Sequence, residues 1–135
     1  NQRGDPTVTY PVVEFAHPDS LFTSRVAVTG LVVYRAADIP ELTNMVLFGD
    51  LPGGEMFYIP ADGLLNGGQD QIRRVMLTGT EHPLTFLEVI QTKQAAQGGE
   101  PATRVDLRMY PGPQGQVFLL NKSDGLIRVL VPGEG

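Results

Sequence analysis

The sequence predicts a mainly β, antiparallel fold with one inserted helix. Three observations carry that expectation. Short runs rich in β-branched and aromatic residues recur along the chain, which is the composition of strands. Sixteen Gly and eleven Pro in 135 residues punctuate those runs, as many strands joined by tight turns require. Only residues 83–96 space their apolar side chains three apart, the period of a helix. The length is that of one domain, residues 1–135, and is enough to bury a core.

Taken in order, residues 8–16 (Val-Thr-Tyr-Pro-Val-Val-Glu-Phe-Ala) are β-rich, with Pro11 demoting part of the run to an edge or a bulge. Residues 26–35 are β-branched and apolar, as in a strand covered on both faces. Residues 45–50 and 55–60 form a pair of short strands joined by Leu51-Pro52-Gly53-Gly54, whose Gly pair supplies the positive φ of a hairpin. Residues 71–77 (Gln-Ile-Arg-Arg-Val-Met-Leu) make a fourth strand. Four sequential antiparallel strands at this spacing describe one propeller-type blade.

A second set follows. Residues 103–110 alternate, with Val105, Leu107 and Met109 on one face and Arg104, Asp106, Arg108 and Tyr110 on the other. Turns at Pro111-Gly112-Pro113-Gln114-Gly115 and Ser123-Asp124-Gly125 lead into strands at 116–121 and 126–131. That set is one strand short of a blade, and residues 8–16 are a candidate for the missing one. Between the sets, Leu84, Leu87 and Ile90 mark a helix over 83–96, with Pro83 suited to its first turn and Gly98-Gly99 to its stop. Its expected role is to cap a blade edge. The expected units are therefore blades at 26–77 and 103–132, with a helical insert at 78–102.

Composition excludes several function classes. Net charge is −5, and only Arg73-Arg74 are adjacent cations, so nucleic acid is not an expected partner. No apolar run approaches the ~20 residues of a membrane helix, so no membrane partner is expected. There is no Cys and there are two His, which removes thiolate chemistry and His-rich metal sites. The opening Asn1-Gln2-Arg3-Gly4-Asp5-Pro6 has no apolar leader and predicts a processed or excised piece.

Few residues invite chemistry. Arg104, Asp106 and Arg108 share one strand face at i, i+2 spacing, which suits either an anion contact or a layer of salt bridges, and the second is the expectation. His17 and His82 each precede Pro and have no nucleophile or orienting partner in view. Asp50, Glu55, Asp62 and Asp70 match no compact calcium loop, so no metal site is expected. Asp62-Gly63 and Asp124-Gly125 read as turn chemistry. Arg3-Gly4-Asp5 spells an adhesion tripeptide that is easily matched by chance. Catalytic residues are left unassigned.

Several of these pieces occur together and in order: Thr29 to Arg35, Asp38-Ile39-Pro40-Glu41-Leu42, Phe48-Gly49-Asp50, Arg104-Val105-Asp106-Leu107-Arg108 and the two closing strands. Over residues 11–132 they resemble the C-terminal blades of the glucose/sorbosone dehydrogenase family, quinoprotein-type β-propellers that oxidise sugars. In the catalytic branch, a lysine and an arginine pair from this region hold pyrroloquinoline quinone, a multiply anionic cofactor that wants fixed cations. The lysine's place falls at Leu51-Pro52-Gly53-Gly54, which has no cation. The arginine pair precedes the Asp matching Asp106, where only Arg104 is present, displaced by one residue and so turned to the other face. Ala36 replaces the Gly that usually follows the Tyr-Arg pair.

The resemblance thus implies part of a sugar-oxidising propeller that is not catalytic alone. The family's base and calcium ligands lie in earlier blades. Pyrroloquinoline quinone and calcium are implied as family cofactors and are not expected for this chain by itself. Implied partners are the missing N-terminal blades, further copies of the chain (three copies making six blades) or a sugar ligand, in the periplasm or outside the cell. The alternative expectation is a freestanding, non-catalytic β-module that binds a ligand or a protein.

Overall fold

The computed structural model describes residues 5–7, 9, 11–16, 27–63 and 67–134. Among them are seven strands, one 3-10 turn and one α-helix. A four-stranded antiparallel sheet runs β1 (Val28–Val33), β2 (Met45–Asp50), β3 (Met56–Pro60) and β4 (Arg73–Val75) in sequence order. Helix α1 (Phe86–Ala96) follows. A three-stranded antiparallel sheet closes the chain with β5 (Leu107–Pro111), β6 (Val117–Asn121) and β7 (Leu126–Val129). The expected class, mainly β and antiparallel with one helix, is the observed one.

Each element has a local cause. In β1 the pairing passes from Thr29↔Gly49 to Leu31↔Phe48 and leaves Gly30 as an extra residue at φ +65°, a bulge only glycine makes without strain. Beyond the bulge Val32 and Tyr34 turn into the core, while Leu31 stays outside. The β2–β3 connection uses one left-handed glycine, Gly54, not the pair.

Helix α1 begins at Phe86, three residues later than Pro83 predicted, because Leu84 is committed to a β-bridge with Leu77. Thr85 and Glu88 form a reciprocal capping box at its start. At its end the N–H groups of Gly98 and Gly99 donate to Ala95 and Gln94 oxygens, with Gly98 at φ +71°. That is the Schellman stop expected of the Gly98-Gly99 pair.

One core joins all three parts. Val32, Leu47 and Met56 from the first sheet meet Leu107, Met109, Val117 and Leu119 from the second, with Phe86 and Ile90 from the helix. The helix is therefore a core element as well as a cover, since its buried face completes the layer between the sheets. Backbone bonds fasten the second sheet at both ends. The Val105 and Leu107 N–H groups donate to Pro52 and Leu51 oxygens at 2.9 and 3.3 Å, and those of Arg35 and Ala36 donate to the Gly115 oxygen at 2.9 and 3.1 Å.

Residues 8–16 depart from expectation. Positions 8 and 10 lie outside the described residues, and 11–16 form bends instead of a strand. They do not complete the three-stranded sheet. Val12 accepts from the Gly67 N–H and Glu14 donates to Gly68, while Val13 and Phe15 pack on a second cluster of Phe48, Phe57, Ile59 and Ile72. This segment covers the outer face of the first sheet, where the Phe48 and Phe57 rings stack at 5.7 Å. Pro11, which cannot donate to a ladder, suits that irregular path.

The sheets touch so closely at Gly30 that a side chain there would lie 3.0 Å from Met109 Cβ. Gly125 has a similar φ, +67°, but open space around it. Gly30→Ala is expected to cost about 2–4 kcal/mol from backbone strain plus overpacking, and Gly125→Ala only about 1 kcal/mol. Urea unfolding of the two variants measures this, and equal losses would refute the close approach.

Candidate functional site

Arg104, Asp106 and Arg108, weighed as an anion contact and expected as salt bridges, lie just before and at the start of β5. Their neighbours Val105, Leu107 and Met109 are buried, so the alternation read from the sequence holds and Arg104, Asp106 and Arg108 face outward. Arg108 Nη1 lies 3.1 Å from Asp106 Oδ1, and also reaches its own Leu107 oxygen at 3.2 Å and Thr29 Oγ1 at 3.5 Å. Arg104 forms no ion pair among the described residues. What forms is one solvent-facing pair, worth about 0–1 kcal/mol, without the convergent cations that a polyanionic cofactor would need.

The loop at Leu51–Gly54, where a cofactor lysine would fall, is a structural turn. Asp50 is fully buried there, and its two carboxylate oxygens accept from the Ala27 and Gly53 N–H groups at 2.9 and 2.8 Å. This fixes the turn whose carbonyls hold β5.

Two ion pairs escaped the sequence reading. Glu55, almost wholly buried, bonds to Arg74, whose guanidinium lies 5.5 Å from the Phe57 ring centroid. At the β6–β7 turn, Arg128 grips Asp124 through both nitrogens, at 2.6 and 3.3 Å, while its guanidinium sits 5.4 Å from the Phe86 ring centroid. The i, i+4 spacing of Asp124 and Arg128 across a hairpin was the only available sign. These pairs tie strands to neighbours and point at no cleft.

Asn121 is buried at the end of β6. Its Oδ1 accepts from Asp106 and Ser123 N–H groups, each at 3.1 Å, and its Nδ2 has no hydrogen-bond partner. Tyr34 is fully buried in the core. Among the described residues no three His, Asp or Glu converge as metal ligands, and no helix is long and apolar enough to cross a membrane. His82 lies in the loop after β4, and His17 is outside the described residues.

Two candidate surfaces are apolar. On the outer face of the first sheet, a cavity of about 400 Å³ is lined by Val13, Phe15, Val28, Leu31, Phe48 and Ile59 among others. On the outer face of the second, Tyr110, Phe118, Leu120 and Ile127 form a patch, with Ile127 70% and Tyr110 53% exposed. These groups lie next to one another and are exposed to water. No family model matches the chain, and neither a curated protein nor a solved structure matches it.

Titration offers a check on the buried contacts. Partial burial pushes the Asp124 carboxyl up, but the Arg128 guanidinium, the Leu126 N–H and the charge of Lys93 outweigh it and hold the group below its ordinary value. Its stabilising contribution is therefore present above the unfolded-state value and lost as pH falls through the lower folded one. Burial pushes the Tyr34 hydroxyl up, Asp38 adds to the shift, and the Ile39 N–H opposes it. That contribution is present below the ordinary tyrosine value and lost as pH rises through the higher folded one. Urea midpoints across pH are expected to show both losses, the acid one reduced in Asp124→Asn and the alkaline one in Tyr34→Phe. Unchanged profiles in the variants would discard these assignments.

Proposed function

We infer that the chain is a pair of propeller-type blades from the C-terminal part of a glucose/sorbosone dehydrogenase-like protein, without catalysis of its own. The observation that carries this reading is the apolar outer face of the three-stranded sheet, centred on Tyr110 and Ile127. A sheet buried on one face only usually turns polar residues outward. Here both faces of β5–β7 carry large apolar side chains, as a blade stacked between neighbours requires. The four-stranded sheet followed by a three-stranded one also fits two blades in sequence, the second incomplete.

Catalysis would reside elsewhere. The Arg108–Asp106 pair and the cation-free turn at Leu51–Gly54 argue against pyrroloquinoline quinone being held by these residues. Calcium, sugar and cofactor would meet the chain only through blades it lacks, in a periplasmic or extracellular protein. A second reading, a freestanding module that binds an apolar ligand, draws on the cavity beneath residues 11–16, whose volume falls in the range of small-molecule sites.

Light scattering separates the two. Blades seeking neighbours are expected to self-associate to a mass well above the single-chain 14.6 kDa. Ile127→Lys should return the chain to one copy by charging the apolar face. Added calcium and pyrroloquinoline quinone should leave the cofactor absorbance unshifted. A monomer at every concentration would overturn the blade reading in favour of the module, and a shifted cofactor spectrum would overturn the absence of cofactor binding.

A further inference from the structure

Two Asp-Gly steps, Asp62-Gly63 after β3 and Asp124-Gly125 between β6 and β7, share one latent reaction. The glycine nitrogen can attack Cγ of the preceding Asp in its protonated form, making an N–Cγ bond and breaking a Cγ–O bond, while the carboxyl hydroxyl and the amide proton leave as water. Hydrolysis of the resulting cyclic imide takes up one water and opens it at either carbonyl, giving aspartate back or an isoaspartyl linkage. No oxidant, reductant or co-reactant beyond water is involved. A following glycine favours the attack because it has no Cβ to hinder rotation.

The structure treats the two steps oppositely. At Asp124 the electrophile is held, with Oδ1 accepting from the Leu126 N–H at 3.2 Å and both oxygens gripped by Arg128. Its side chain is only 12% exposed. The nucleophile is held too, since the Gly125 N–H donates to the Asn121 oxygen at 2.9 Å. Ring closure there requires several charge-assisted and turn bonds to open together.

At Asp62 neither group is held. The side chain is exposed, and among the described residues it has no hydrogen bond or ion pair and the Gly63 N–H has no partner. Gly63 sits at φ +97° with nothing within 4 Å of where a Cβ would be. The other described Asp residues precede bulkier residues (Asp5-Pro6, Asp38-Ile39, Asp50-Leu51, Asp70-Gln71 and Asp106-Leu107), where the attack is hindered.

From this contrast we propose that Asp62 is a site of isoaspartate formation in the folded protein and that Asp124 is protected by its turn. The location matters to the surface beside it. Pro60, Ala61 and Gly63 line the apolar cavity on the first sheet. An isoaspartyl linkage inserts a methylene into the main chain between β3 and Gly67-Gly68, which hold Val12 and Glu14. Modification at Asp62 would therefore alter the rim of that cavity.

The test is incubation of the full chain at neutral pH, with peptide mapping by fragmentation that distinguishes isoaspartyl from aspartyl linkages. Deamidation at the neighbouring Asn66-Gly67 is told apart by its mass change, which isomerisation lacks. Isoaspartate is expected to accumulate at residue 62 at least about tenfold faster than at residue 124, the protection reflecting local opening of the held turn. Unfolding in urea should bring the two rates together, and Arg128→Gln should raise the rate at 124 while leaving 62 unchanged. Equal rates in the folded chain, or a persistent difference in urea, would overturn the proposal.

Discussion

The close approach of β5 to β1 and β2 is the constraint on which the rest of this structure depends. Gly30 and Gly49 leave room for Met109 and Leu107, whose side-chain atoms would lie 2.8–3.0 Å from any Cβ at those positions. Two sheets are thereby brought into contact at a point where ordinary side chains would hold them apart. The backbone bonds from Val105 and Leu107 to the β2–β3 turn, and from Arg35 and Ala36 to Gly115, follow from that distance. So does the shared core, because Val32, Leu47, Leu107 and Met109 fall into one cluster only when the sheets are this close.

Charge has a subordinate and local role. Asp50 shapes one turn, Asp124 and Arg128 another, and Glu55 with Arg74 ties β3 to β4 beside the Phe57 ring. Each pair satisfies groups near it, and none aims a charge at an empty cleft. Breaking such pairs would leave unpaired buried groups, which explains why they hold structure without implying chemistry. The unpaired Nδ2 of Asn121 is the exception, a donor lost so that its oxygen can join β5 to the β6–β7 turn.

The surface is where a functional reading has to begin. An acidic chain that spreads its charges leaves Tyr110, Ile127 and Val129 in water on the outer face of β5–β7. The apolar cavity on the other sheet is a second such feature, covered in part by residues 11–16. Both surfaces are built from apolar side chains, and the titratable groups contribute little to either.

Much of the fold was legible along the chain. Strand alternation at Val105, Leu107 and Met109, the turn glycines Gly115 and Gly125 and the Gly98-Gly99 stop all act within a few residues, so local chemistry determines them. The order of strands in each sheet followed, because short turns leave neighbours little choice. Residues 11–16 could not be read in this way: their apolar pattern fits a strand, but they settle on the outer face of the first sheet. Nor could the pairing of Arg74 with Glu55, which reaches across a sequence gap that periodicity does not encode. Local pattern set the seven strands, the helix and their antiparallel order, and residues 51–54 carry no cation. Which apolar faces were buried was settled by packing between the sheets and the helix, since burial depends on what else lies against a strand and not on the strand's own residues.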